Sequence, residues 1–353
     1  MNAVNLARMA NLSDLIRDPA WFPAGFSADY RNIRFALLDR DSLSREAFLD
    51  QRMAAAIKTE ELIPLTELLK LELDYVKPLP AFIFHSAFCC STLLARALDS
   101  GGTTLSYKEP DILMGLANAL RVDERLAQSS QQAEKLVRLV LALLARRFDD
   151  AEAIVVKPTN SANNLLPFVA TAGAPVLLLY GDLRSFLVSV LKKGEPCKGF
   201  VRQQYNIFAL DRYGLGTIPQ RQAVAFTDLQ AASIVWRHQL ELFAGELQSN
   251  TSGSMASLDF KHLLDHPQNT LAAVSRHLGL THGEQLIAEI ANGPVFESNA
   301  KFAGQAFNTG QRDLEAATIE ERYGSTLDMI EKWAEQISLG TTFSIPLGKS
   351  LSS

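Results

Sequence analysis

From residue 81 onward, short apolar runs alternate with longer stretches of helical spacing, and this alternation restricts the fold more than any other feature of the chain. Ala81–His85 (AFIFH), residues 103–107 (TTLSY), residues 153–156 (AIVV) and residues 175–180 (PVLLLY) have the length and composition of strands rather than helices. AFIFH ends in small and polar residues, as a strand buried on both faces does. Helical spacing follows each run: about 91–99, closed by Gly101 and Gly102, then 131–148, 160–172 and 183–191. A helix through Trp236, Leu240 and Phe243 leads to a last strand at 255–260, and helices at 270–278 and 319–337 complete the pattern. Alternating strands and helices predict an α/β fold, a central parallel sheet covered by helices on both faces. Ligands of such sheets sit at the carboxyl ends of the strands. The loops after His85, Tyr107, Val156 and Tyr180 are therefore where chemistry is expected.

Residues 1–79 read differently. Residues 42–53 (SLSREAFLDQRM) and 64–73 (PLTELLKLEL) have helical spacing, and residues 33–38 form a candidate strand. The expectation is a mostly helical N-terminal extension over 1–79, a main domain over 80–340 and a frayed tail over 341–353. With 47% hydrophobic and 21% charged residues the chain is of ordinary globular composition. A net charge of -5 gives no reason to expect a nucleic-acid surface, although a few Lys or Arg can still line a phosphate pocket. The longest apolar stretch, 136–145, is interrupted by Arg138 and is too short to span a bilayer, so no membrane partner is expected. The N-terminus shows no continuous apolar signal segment. Three cysteines make no disulfide framework, and free thiols suit a reducing, cytoplasmic setting. The histidines lack metal-ligand spacing, so no metal is expected.

The segment 84–94 (FHSAFCCSTLL) joins the first strand to its helix. Such a turn aims several backbone amides and a positive helix end at one point, and the hydroxyls of Ser91 and Thr92 would add donors. No G-x-x-x-x-G-K-[ST] sequence occurs, which argues against an ordinary ATPase or GTPase. Ser91 could equally serve as a plain helix N-cap.

FIFHSAFCCSTLLARAL resembles the first signature of the P-loop sulfotransferases: an apolar strand, a Gly, two variable residues, a basic residue, Ser-Gly-Ser/Thr-Thr and two Leu. Ser91, Thr92, Leu93 and Leu94 match its end, whereas His85 stands at the Gly, Phe88 at the basic residue and Cys89–Cys90 at the Ser-Gly pair. LLYGDLRSFLVSVLKK (178–193) is similar to the second signature, in which Arg and Ser hold a 3′-phosphate. Ser189 matches the Ser and Asp182 the following acid or amide, but Gly181 occupies the Arg position. Arg184, in the first helical turn, could supply the guanidinium instead or remain a solvated surface residue. YKEP (107–110), VKPTN (156–160), the run 258–280 and SNAKF (298–302) resemble further family segments in the same order, so the resemblance covers about residues 80–335.

The resemblance implies a P-loop-type fold that uses 3′-phosphoadenosine 5′-phosphosulfate as co-substrate, with a small hydroxyl or amine acceptor. It implies Glu109 as the base, Lys157 and Lys301 as cations near the leaving phosphate, and Cys89, Cys90, Ser91, Thr92, Arg184 and Ser189 around the cofactor. His85 is a rival base because imidazole titrates near neutrality, and thiols at a helix start are expected to have lowered pKa values. Two readings of other kinds stand beside this one. A binding or scaffold protein that has lost transfer would follow from Phe88 and Gly181, and a phosphotransferase with an unusual loop would require Mg²⁺-dependent ATP turnover.

Overall fold

The structure, a computed structural model, describes residues 12–71, 73, 78–99, 102–297, 309–337 and 339–351. Three antiparallel strands come first: β1 (Trp21–Phe26), β2 (Asn32–Leu37) and β3 (Glu60–Pro64). Five parallel strands follow: β4 (Ala81–His85), β5 (Thr104–Lys108), β6 (Ala153–Lys157), β7 (Val176–Tyr180) and β8 (Met255–Asp259). Their spatial order is β5-β6-β4-β7-β8. The chain leaves central β4 for the edge, returns through β6, and then crosses to β7 on the other flank. The direction of winding thus reverses beside β4, which places the loop after His85 at the crevice where such sheets bind ligands.

The helices used below are α1 (Ser91–Ala97), α2 (Asp111–Val122), α3 (Ser130–Leu144), α4 (Leu183–Lys193), α5 (Glu195–Phe208), α6 (Asp228–Ser249), α7 (Pro267–His277) and α8 (Thr309–Glu335). Side chains of the parallel strands alternate between two cores, as a period of two requires. Phe82, Phe84, Ile154, Val156, Leu178 and Tyr180 join the larger core with residues of α2, α3, α6 and the N-terminal sheet. Ile83, Val155, Leu177, Leu179 and Leu258 face the smaller core with residues of α1 and α7. The four strand expectations from the sequence are met to within a residue, because runs buried on both faces leave no competing assignment.

The N-terminal region departs from expectation. It is organised by the sheet β1-β2-β3 rather than by two helices. Residues 42–53 divide into a helix over Arg40–Arg45 capped by Asp39 and a 3₁₀ segment over Gln51–Ala56 capped by Asp50. Residues 60–64 pair with β2, Ile63 opposite Ile33, and only one helical turn, Leu65–Leu68, remains of the expected second helix. Residues 60–62 of that strand are exposed, so it is backbone pairing with β2 that holds it. The tail differs as well. Ser257 Nα donates to Lys349 O (3.0 Å), Leu351 Nα to Ser257 O (2.9 Å) and Leu347 Nα to the Tyr180 hydroxyl (2.9 Å), so residues 347–351 lie against β8 instead of fraying. Among the described residues no helix is long and apolar enough to cross a membrane.

Candidate active site

The loop between β4 and α1 holds three non-glycine residues in left-handed conformation, Ala87 (φ 67°), Phe88 (φ 54°) and Cys90 (φ 58°). Each costs on the order of 1 kcal/mol and persists only where the surroundings over-determine it. A buried amide network supplies that support. Asn163 Nδ2 donates to His85 O (3.1 Å) and to Gln239 Oε1 (3.2 Å), and Gln239 Nε2 donates to Ser86 O (3.3 Å). Asn160 Nδ2 donates to Gln204 Oε1 (3.2 Å), and Ser161 and Gln204 bond each other at 2.8–2.9 Å. Cys90, not Ser91, is the residue at the helix cap position, and it makes no side-chain capping bond. Ser91 is the first helical residue. Thr92 is 3% exposed, and its hydroxyl has no hydrogen-bond partner among the described residues. The expectation of a lowered thiol pKa fails for Cys89: its sulfur is buried 3.5 Å from Leu179 O, and burial pushes the thiol up to about 12. The Cys89 thiol thus belongs to the smaller core.

Glu109, Lys157 and His85 come together at the carboxyl ends of β5, β6 and β4. Lys157 Nζ lies 2.6 Å from Glu109 Oε1 and 3.2 Å from His85 Nε2, with its side chain fully buried. Glu109 also has left-handed backbone (φ 53°), and its amide donates to Lys157 O (2.7 Å). Lys108 is directed elsewhere. It donates to Asp99 Oδ2 (2.8 Å) and Ser44 O (2.6 Å) and is no neighbour of the Glu109 carboxylate. Burial lowers the Lys108 pKa and raises that of Asp99. His85 has a defined part in this group. The Ala87 amide can only donate, so Nδ1 accepts it (3.2 Å) and Nε2–H donates to Pro158 O (3.1 Å). A proton taken up by this ring would displace the Ala87 bond and put two cations side by side. His85 holds the loop and is poorly placed as a base.

At the end of β7 the site differs from expectation. A Cβ on Gly181 would lie 2.6 Å from the Phe260 ring, so Phe260 fills the space a larger residue would need, and Trp236 Nε1 donates to Gly181 O (2.8 Å). Arg184 is partly exposed, but it is not open to an anion. Its guanidinium meets Glu320, Asp328 and Glu331 of α8, each at 2.7 Å. Asp182 caps α4 by accepting from Ser185 Nα (2.7 Å) and pairs with Lys261. Ser189 is half-buried on α4. Lys301 lies outside the described residues. Phe88 packs its ring on Phe186 of α4 (5.1 Å) and Phe200 of α5 (5.8 Å), and Lys193 Nζ sits 4.2 Å from its centroid.

Sequence reasoning missed the Asn160, Asn163, Gln204 and Gln239 network and the Lys193–Phe88 contact. The Asn-rich run after β6 was a signal for the first two, because amides at a strand's carboxyl end have backbone to satisfy. Nothing local pointed to Gln204 or Gln239.

No family model matches the chain, and no curated protein does. Solved structures give weak likenesses. The sulfotransferase domain from the curacin biosynthetic pathway aligns at TM-score 0.39 and 15% identity over 66% of this chain and 84% of that one. A sulfotransferase from Alicyclobacillus acidocaldarius aligns at 0.35 and 10% over 74% and 98%. The sulfotransferase domain of the Synechococcus PCC 7002 olefin synthase aligns at 0.36 and 14% over 79% and 97%.

Proposed function

We propose that the chain is a sulfotransferase that moves the sulfuryl group of 3′-phosphoadenosine 5′-phosphosulfate to a hydroxyl or amine of a small acceptor. The observation that carries this reading is the convergence of Glu109 and Lys157 at one end of the sheet, 2.6 Å apart, beside the strained loop after β4. The buried, unpartnered Thr92 hydroxyl fits an anion at that loop. Ser91, Thr92 and Lys157 would hold the phosphosulfate end, and the donor supplies the activated sulfuryl group. Glu109 accepts the proton of the attacking hydroxyl or amine. Lys157 orients the Glu109 carboxylate and keeps a positive charge where the leaving phosphate develops its own. His85, through Ala87 and Pro158, keeps the loop in shape. At the 3′-phosphate end Ser189 is the residue of matching type, since Arg184 is held by α8.

That occupied guanidinium, with Phe88 and Gly181 at positions where the resembled signatures carry charge, favours a second reading, a binding or scaffold protein of this fold that has lost transfer. Calorimetric titration with adenosine 3′,5′-bisphosphate, paired with a transfer assay on Glu109→Gln, separates the two. Sulfuryl transfer predicts wild-type binding, binding by Glu109→Gln within about threefold, and a loss of turnover of ~10²–10⁴. Tight binding of the bisphosphate counts against the second reading. Absence of binding overturns the sulfotransferase reading and favours the scaffold.

A further inference from the structure

Glu109 sits in the short turn between β5 and α2, and residues of the N-terminal region close around that turn. Leu49 is fully buried and gives both of its backbone groups to it. Its amide donates to Lys108 O (2.7 Å), just before Glu109, and its carbonyl accepts from Asp111 Nα (3.0 Å), just after. The Glu109 amide donates to Lys157 O (2.7 Å), and Pro110 has no amide to give. The turn is therefore held from two sides, by β6 and by Leu49. Glu109 keeps a left-handed backbone there (φ 53°), which a non-glycine residue does only where its surroundings impose it. Leu49 is itself anchored. Its side chain lies in the larger core, and Lys108 Nζ reaches back to Ser44 O (2.6 Å). Asp50 caps the 3₁₀ segment that follows and clamps Arg52, whose guanidinium lies 3.5 Å over the Phe48 ring. The Arg52 pKa is raised first by its bond to Asp50 and further by the charge of Glu109, so this segment stands within electrostatic reach of the base.

We propose that residues 44–52 splint this turn, with Leu49 as the positioning residue that keeps the Glu109 carboxylate aimed beside Lys157. The proposal rests on the sulfotransferase reading and adds to it a part of the chain that precedes residues 80–335, the span of the family resemblance. Without the Leu49 bridge, the backbone of Glu109 is free to relax into the ordinary right-handed or extended regions. Its carboxylate would then swing away, while Lys157 stays fixed on β6. A shift of about 1 Å at a reacting group is enough to slow a reaction by roughly two orders of magnitude. Both backbone groups of Leu49 are spent on the turn, so its effect falls on the chemical step rather than on the nucleotide.

The test uses the one bond of the splint that a substitution can remove cleanly. Asp111 is the first residue of α2, a position that accommodates proline, and Pro110 already has the extended backbone that a following proline requires (ψ 124°). Asp111→Pro removes the N–H given to Leu49 together with the carboxylate. Asp111→Asn keeps the N–H and sets the baseline for loss of the carboxylate alone. Turnover of 3′-phosphoadenosine 5′-phosphosulfate is measured with water, phenol and benzylamine as acceptor probes, and binding of adenosine 3′,5′-bisphosphate by calorimetry. The kcat of Asp111→Pro should lie about tenfold or more below that of Asp111→Asn, with bisphosphate affinities within about twofold of each other. Equal turnover, or an affinity lost in step with turnover, overturns the proposal and leaves the sulfotransferase reading in place. A wild type that neither binds the bisphosphate nor turns over the donor removes that reading, and this proposal falls with it. Should Asp111→Pro fail to fold, hydrogen exchange on the wild type decides. The Leu49 and Asp111 amides should exchange as slowly as those of β5, and exchange at the rate of an open loop overturns the splint.

Discussion

At the scale of single residues, four of the six described non-glycine residues with left-handed backbone lie just beyond the carboxyl ends of β4 and β5. Ala87, Phe88, Cys90 and Glu109 all hold left-handed backbone without being glycine. Glycine appears instead at 181, for a steric rather than a conformational reason. A methyl group there would meet two atoms of the Phe260 ring at 2.6 and 2.8 Å, and that ring is 2% exposed, with little room to move. Gly181→Ala should therefore destabilise the protein by about 1–3 kcal/mol through overpacking. Denaturant titration would measure this. The loss should shrink in a Phe260→Leu background, because the two sites share one contact. An undiminished loss there would mean the strain lies in the backbone and not against the ring.

At the scale of elements, the C-terminal segment gives the clearest case of structure made by distant partners. Residues 347–351 run beside β8, and the Tyr180 hydroxyl, at the end of β7, accepts from Leu347 Nα. Burial raises the Tyr180 pKa from 10.0 to about 12. Because the folded value is the higher one, the stabilisation is fully present below pH 10, where both states are protonated. It is lost as pH rises from about 10 to about 12, where the unfolded chain ionises first. The stability of the wild type should fall across this window, and that of Tyr180→Phe should fall less steeply. A pH series of urea midpoints checks the difference, and identical slopes would remove Tyr180 from the account. The Arg184 cluster belongs at this scale too. It joins α4 to α8 through three partly exposed carboxylates, so it orients the helix more than it stabilises the fold.

For the whole molecule, the N-terminal sheet and the parallel sheet share one core. Phe22 of β1 lies edge-on to Tyr107 of β5 at 5.1 Å, and residues from both sheets belong to the same buried cluster. Arg146, just after α3, ties them together through backbone. It donates to Leu143 O (2.8 Å), Ile16 O (2.9 Å), Asp18 O (3.0 Å) and Trp21 O (2.6 Å). Among the described residues no carboxylate accepts a hydrogen bond from it, and burial lowers the guanidinium to about 10. Arg146→Ala would leave those carbonyls without their donor at a cost of about 3–5 kcal/mol. Unfolding should remain a single transition by both near- and far-ultraviolet circular dichroism, since the N-terminal sheet shares its core with the parallel sheet. A variant in which only the N-terminal signal is lost would show the sheets to be independent.

The sequence by itself determined the parallel strands, their alternation with helices, and the edge of the sheet at which Glu109, Lys157, His85, Ser91 and Thr92 lie. It could do so because burial on two faces, helical spacing and turn chemistry are local patterns, legible within ten or fifteen residues. Tertiary structure alone decided the pairing of residues 60–64 with β2, the docking of the tail on β8 and the capture of Arg184 by α8. It likewise decided the filling of the space at Gly181 by Phe260 and the seating of Lys193 on Phe88. Each is a choice among chemically similar partners, separated by anything from about thirty to well over a hundred residues. Composition and spacing cannot rank such partners. Only the packed positions of the strands and helices bring one of them within reach.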